Sequence, residues 1–227
     1  PGKTTLSNLQ TPDGLPVAES DAPAAVRVFG HDRWNVFELR SQLGIISSDL
    51  HQRFVAGHSA GRIRCEEAVV SGFFATRGFL VNWSVTPEMR AQALDALERL
   101  EAGHLAGKWM NEMSTGEARR VLIARALVRN PRALILDEPS AGLDIVARFR
   151  FLESLRHIAQ QGTTIVLITH HVEEVIPEIE RVIFLKHGRG AGDGPKKAML
   201  TRDRLAALFD GPVSVHQSDG YYRAESV

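Results

Sequence analysis

The 227-residue sequence has a single cysteine, Cys65. Neither an intrachain disulfide nor a cysteine zinc cluster can therefore form within it. Charge of one sign is also lacking: 27 lysines and arginines stand against 27 aspartates and glutamates. That balance supplies no bulk electrostatic pull toward nucleic acid or an anionic membrane. The longest apolar runs, "ALIL" and "TIVLI", fall far short of the roughly 20 residues a membrane-crossing helix needs. The opening "PGKTTLSNLQ" lacks the charged start and apolar stretch of a secretory signal. Internal repeats and low-complexity tracts are missing as well. What remains is an ordinary globular composition, in a length that suits one large domain or a main domain with a subdomain. A soluble cytoplasmic chain is expected.

Residues 11–24, rich in Pro, Asp and Ala, read as a surface loop. Ala25–Gly30 (AVRVFG) alternates like a half-buried strand ending at glycine, and Ile45-Ile46 mark the end of a buried strand. Glu66–Phe74 and Pro87–Leu105 carry helical spacing, with Ala93, Leu94, Leu97 and Leu100 predicted on one face. Pro87 after Thr86 suits a helix start. Ser114 is a good N-cap for "TGEARRVLIARALVRN", which must stop before Pro131. The runs "RALILDEP" and "TTIVLITH" flank a helical segment that closes on Gly162. Strand, helix, strand with continuous apolar strands predicts a parallel sheet covered on both faces. "RVIFLKHGR" reads as a further strand and turn, "RDRLAALF" as a short helix, and the last sixteen residues as a small terminal extension.

Four segments carry chemistry. Gly2-Lys3-Thr4, followed by Thr5, matches the end of a phosphate loop, G-x-x-x-x-G-K-[ST]. In that loop backbone N–H groups cradle phosphate, the lysine reaches the terminal phosphates and the hydroxyl binds Mg²⁺. A G-K-T tripeptide also arises by chance, and the strand and first glycine of the motif do not precede it here. "ALILDEP" is a stronger signal. Four apolar strand residues deliver Asp137 to a sheet's carboxyl edge, where open α/β sheets bind ligands. There Asp137 suits a Mg²⁺ shell and Glu138 suits a base for water, although Asp-Glu-Pro is also a plausible turn. "TIVLITHH" ends a strand on His170, either a phosphate sensor or a surface histidine. "MSTGEARR" places Ser114 and Gly116 at a helix N-terminus, an anion site or an ordinary capped helix.

Read in order, the four segments resemble those of the ATP-binding cassette (ABC) ATPases. "MSTGEARRVLIARALVRNPRALILDEPSAGLD" is similar to that family's signature, Walker B strand and D-loop in one continuous stretch, and the resemblance runs from Gly2 to about Phe209. It implies an α/β P-loop NTPase core, a parallel sheet flanked by helices, plus the ABC helical subdomain. The cassette would occupy residues 1–211, its helical subdomain about 50–128, and residues 212–227 would form a short C-terminal extension. The resemblance further implies two cassettes sandwiching two ATP molecules, each held by one copy's phosphate loop and the other's signature. Carried over, Gly2, Lys3, Thr4 and Thr5 grip phosphates, and Thr4 and Asp137 hold Mg²⁺. Glu138 is then the catalytic base and His170 the switch. Ser114, Gly116 and Glu117 contact ATP across the dimer, and Asp144 of the D-loop (Ser140–Asp144) helps align the opposite site.

Two departures stand out. The family's S-G-G-Q is Ser114-Thr115-Gly116-Glu117 here, so a carboxylate replaces an amide. That favours the helix dipole but not a nearby phosphate. The glutamine expected after "LGII" to touch Mg²⁺ and the transport partner is absent. Ser48 stands there, and either Ser48 or Gln52, four residues on, is the candidate to replace it. The resemblance implies membrane permease subunits as partners, a second cassette, and a place on the cytoplasmic face of the membrane, with no nucleic acid. A soluble cassette of the translation or DNA-maintenance type is the alternative. Against it stand a short, heptad-free gap between phosphate loop and signature and a lone cassette without a basic linker. The missing strand ahead of Gly2 leads us to expect a chain truncated within its phosphate loop.

Overall fold

Three short apolar runs form a parallel sheet. They are Leu43–Ile46 (β1), Ala133–Asp137 (β2) and Thr164–Ile168 (β3), in the order β1-β2-β3. Leu43 pairs with Ala133, and Ala133 with Thr164, so the three strands run level to the Asp137–Ile168 pair. The computed structural model describes residues 27–31, 33–47, 50, 54, 63–74 and 84–227. The expectations for Gly2, Lys3, Thr4, Thr5, Ser48 and Gln52, and for the loop at 11–24, lie outside the described residues.

Parallel strands need long crossovers, and here they are helical. Val36–Gln42 (α1) leads into β1. Between β1 and β2 lie Cys65–Val70 (α2) with a 3₁₀ turn at Ser71–Phe74, Pro87–Glu98 (α3) and Thr115–Leu127 (α4). Ile145–Gln160 (α5) joins β2 to β3. Helix α4 is the centre of the core. Val121, Leu122, Ile123 and Ala124 are all fully buried, and α4 packs against α2, α3, α5 and β1. A helix apolar on successive positions is one buried on all sides. It carries two deeply placed cations: Arg119 is 2% exposed, and Arg125 donates from Nε to Ser71 Oγ at 2.9 Å and lies 5.2 Å from the Phe54 ring centre. Burial pushes the Arg125 pKa down to about 10, which still leaves it charged at neutral pH.

Two glycines set how closely α4 is approached. A Cβ on Gly44 of β1 would lie 2.8 Å from Leu134 Cδ1 and 3.0 Å from the Ala126 carbonyl oxygen. A Cβ on Gly72 would lie 2.2 Å from the Arg125 carbonyl oxygen and 2.8 Å from Val128 Cγ1. Backbone cannot yield as a side chain can, so Gly72→Ala is expected to cost about 1–3 kcal/mol. Denaturant unfolding of the variant measures this, and an unchanged midpoint would contradict the packing described.

Beyond β3, Arg181–Lys186 (β4) and Arg189–Pro195 (β5) form a hairpin. His187 (φ 49°) and Gly188 (φ 76°) fill its two-residue turn, the geometry that matches strand twist. Lys196–Met199 (α6), Arg202–Phe209 (α7) and a second hairpin, Val213–Ser218 (β6) with Tyr221–Ser226 (β7), complete the chain. The last hairpin is tied back to the body. Tyr222 is buried in a cluster with Phe184, Met199 and Leu205, and the Tyr221 hydroxyl donates to Glu153 Oε1 on α5 at 2.9 Å.

The structure corrects four local expectations. Helix α3 ends at Glu98, and Leu105 belongs to a separate 3₁₀ turn; Glu101 takes φ 53° and breaks the helix between them. The buried face of α3 is Ala93, Ala96 and Leu97, which leaves Leu94 40% exposed. In place of a strand at 25–30, the described part is a tight turn. Val28 bridges His31 around Phe29 and Gly30, both at positive φ. Finally, the sheet is not covered throughout: among the described residues, Thr164 and Val166 of β3 are exposed.

Candidate active site

Asp137 ends β2 at the carboxyl edge of the sheet, its Cα paired with Ile168. The next residue extends the pairing, since the Glu138 N–H donates to the Ile168 carbonyl at 2.9 Å. Glu138 has φ 46°, an uncommon conformation for a residue with a side chain. Pro139 follows it, and a following proline disfavours the right-handed helical region. The chain therefore turns sharply at the acid, and the Ala141 N–H donates back to the Glu138 carbonyl at 3.3 Å. Two residues after β3 ends, His170 brings Nδ1 to 3.1 Å from Glu138 Oε1. Both side chains are open to solvent.

The loop after Glu138 is ordered by its own hydrogen bonds. The Leu143 N–H donates to the Ser140 carbonyl at 3.0 Å. Asp144 caps α5, its Oδ1 accepting from the Ala147 N–H at 2.8 Å. A buried carboxylate then joins this loop to the one carrying His170. Glu174, 1% exposed, accepts from the Ser140 hydroxyl on Oε1. On Oε2 it accepts from the Thr169 hydroxyl at 2.6 Å. Thr169 Oγ1 in turn accepts from the His171 N–H at 3.0 Å. The two loops flanking the Glu138–His170 pair thus share one acceptor.

Ser114 to Glu117 form a second group. Ser114 caps α4, its Oγ accepting from the Glu117 N–H at 3.2 Å. Glu117 folds back so that Oε2 accepts from the Ser114 N–H at 2.7 Å, a reciprocal capping box. Lys108 Nζ lies 3.0 and 3.1 Å from the two Glu117 carboxylate oxygens. Partial burial pushes the Glu117 carboxyl up, but the Ser114 N–H, the Lys108 ammonium and the Ser114 hydroxyl outweigh it and hold it below the usual range. Glu117 is therefore an anion at neutral pH. Gly116 lies against the loop and helix that Asp144 caps: a Cβ there would be 3.3 Å from Ala147 Cβ and 3.9 Å from Leu143 Cδ2. The first turn of α4 and the Leu143–Ala147 segment are therefore neighbours.

Of the residues singled out in the sequence, Glu138 and His170 are brought together, as are Ser114 and Glu117, with Gly116 beside the helix that Asp144 starts. The structure adds Lys108 and Glu174. Asp137 offers a carboxylate of the kind Mg²⁺ takes. Among the described residues no cluster of three His, Cys, Asp or Glu side chains forms a metal cage. A Mg²⁺ held partly by nucleotide phosphates and water requires none.

The family model for ABC transporters matches residues 2–141, from the phosphate-loop motif through the signature helix and the acidic strand end. The chain belongs to the ABC transporter family. It is an ATP hydrolase of that family, with the family's α/β P-loop fold. Over 219 residues it is 36% identical to the uncharacterized ABC transporter ATP-binding protein YlmA of Bacillus subtilis strain 168, covering 94% of this chain and 78% of YlmA. Over 135 residues it is 38% identical to the aliphatic sulfonates import ATP-binding protein SsuB 3 of Pseudomonas savastanoi pv. phaseolicola, covering 56% of this chain and 49% of that protein. Among solved structures it superposes on cbiO1 from Clostridium perfringens, part of the ABC transporter complex cbiONQ. There the TM-score is 0.58 and the identity 28%, over 75% of this chain and 64% of that one. It also superposes on a bacterial ABC transporter cassette determined as a dimer, with TM-score 0.54 and 26% identity over 69% and 63% of the two chains. Among the described residues no ABC cassette helix is long and apolar enough to cross a membrane.

Proposed function

We propose that two copies of this cassette hydrolyse Mg-ATP between them and so drive a membrane permease from its cytoplasmic face. The observation that carries the reading is the Glu138–His170 contact of 3.1 Å at the sheet's carboxyl edge, one residue beyond Asp137. Glu138 accepts the proton of the attacking water. His170, in contact with the same carboxylate, orients it and registers the terminal phosphate. Asp137 and Thr4 hold Mg²⁺, whose chemistry when bound is to neutralise charge on the phosphates. Gly2, Lys3, Thr4 and Thr5 grip those phosphates from one copy. Ser114 and Gly116 meet them from the other, and Asp144 keeps the D-loop in place between the two half-sites. Helical residues from about 50 to 128 serve as the subdomain that presents the signature.

The transport role is supported by the names of relatives: SsuB 3 is an import ATP-binding protein and cbiO1 is part of a transporter complex. The test is purification of the tagged full-length protein from its native membranes in mild detergent. The expected result is two cassettes with integral membrane subunits and an ATPase rate that changes when those subunits are removed. Recovery with ribosomes or DNA, and no membrane subunit, would favour the soluble alternative.

A further inference from the structure

We propose that Lys108 is the positioning residue that makes a glutamate workable in this signature: it draws Glu117 back and neutralises it, so that a phosphate can dock at Ser114 and Gly116. The proposal rests on the reading that the signature meets ATP across a dimer. The observation behind it is local to this chain. Glu117 occupies the place of a neutral amide, and an unpaired carboxylate there would face the anion the helix end is built to receive. In the structure the carboxylate is engaged elsewhere. One oxygen accepts from the Ser114 N–H at 2.7 Å, and both lie within 3.1 Å of Lys108 Nζ.

Lys108 is fixed to do this. Its N–H donates to the Leu105 carbonyl at 2.8 Å, and its carbonyl accepts from the Cys65 N–H at 2.9 Å. The backbone is therefore held on both sides while the ammonium reaches the first turn of α4. The capping box leaves Thr115 and Gly116, at the start of that turn, with N–H groups that no helical carbonyl can satisfy. Those N–H groups, the cap hydroxyl and the ammonium together make a surface that accepts an anion, with the glutamate already compensated.

The experiment measures the ATP concentration that half-saturates dimerisation of the full-length Glu138→Gln protein, followed by light scattering. In that background Lys108→Met should raise the midpoint by roughly ten- to a hundredfold, the worth of one charge-assisted hydrogen bond. Adding Glu117→Gln should return it to within about twofold of the parent, because the removed charges then cancel. Lys108→Arg should stay near the parent. A purely structural ion pair would shift the melting temperature and leave the ATP midpoint alone. An unchanged midpoint in Lys108→Met, or a double variant as weak as the single, overturns the proposal. Should Lys108→Met fail to fold, added NaCl should raise the midpoint of Glu117→Gln more steeply than the parent's, because that variant leaves the ammonium unpaired beside the phosphate and salt screens its attraction. Equal salt slopes overturn the proposal. Absence of any ATP-driven dimer in the parent overturns the dimer reading, and this proposal with it.

Discussion

Glu138→Gln is expected to bind ATP about as well as the parent and to turn it over roughly 10²–10⁴-fold more slowly, the usual cost of losing a general base. The amide keeps the size and the turn: the Glu138 N–H bond to Ile168 and the bond from Ala141 to its carbonyl are both backbone bonds. The variant can still contact His170 but cannot take a proton. Single-turnover phosphate release measures the loss, and equilibrium binding of nucleotide checks that the site is intact. Hydrolysis near the parental rate would remove Glu138 from the role of base.

Glu174→Ala is expected to lower both stability and turnover. It deletes the acceptor that, among the described residues, joins Ser140, in the loop after Glu138, to Thr169, beside His170. Ser140 and Glu174 are each 1% exposed and Thr169 is partly buried, and stranding a buried partner costs about 1–3 kcal/mol. Small displacements of a catalytic group are costly as well, and turnover should fall by roughly 10²-fold. Glu174→Gln keeps one acceptor oxygen and should fall between the parent and the alanine variant in both measurements. Parental melting temperature and parental rate in Glu174→Ala would show that the two loops hold their places without it.

The parts legible in the sequence are those where one local rule decides. Ala133–Asp137 and Thr164–Ile168 are short apolar runs with a polar residue at the end, and parallel pairing follows from the helix between them. Ser114 with Glu117 three residues on is a capping box in the sequence before it is one in the structure. Glu138 and His170 stand at strand ends that a parallel sheet brings side by side. Other features depend on contacts no short window contains. β5 is "RGAGDGP", and its glycines argue against a strand. It is held by pairing with β4 and by two Arg181–Asp193 bonds of 2.7 Å. Leu94 satisfies the helical spacing, yet the packed face of α3 lies to one side of it. Lys108 precedes Glu117 by nine residues with a turn between, a spacing that carries no periodic signal. Glu173 and Glu174 follow the histidines with nothing in the local pattern to tell them apart, and the return of the loop onto Ser140 buries Glu174 alone.

The central claim is that ATP is hydrolysed between two copies of this chain. The most direct measurement is the rate of phosphate release per cassette at saturating Mg-ATP, taken across a dilution series of the full-length protein. A site completed by a second copy predicts a per-cassette rate that rises in proportion to protein concentration when dilute and then levels off. A per-cassette rate that stays constant down to the lowest concentration would contradict it, because each chain would then be hydrolysing ATP alone.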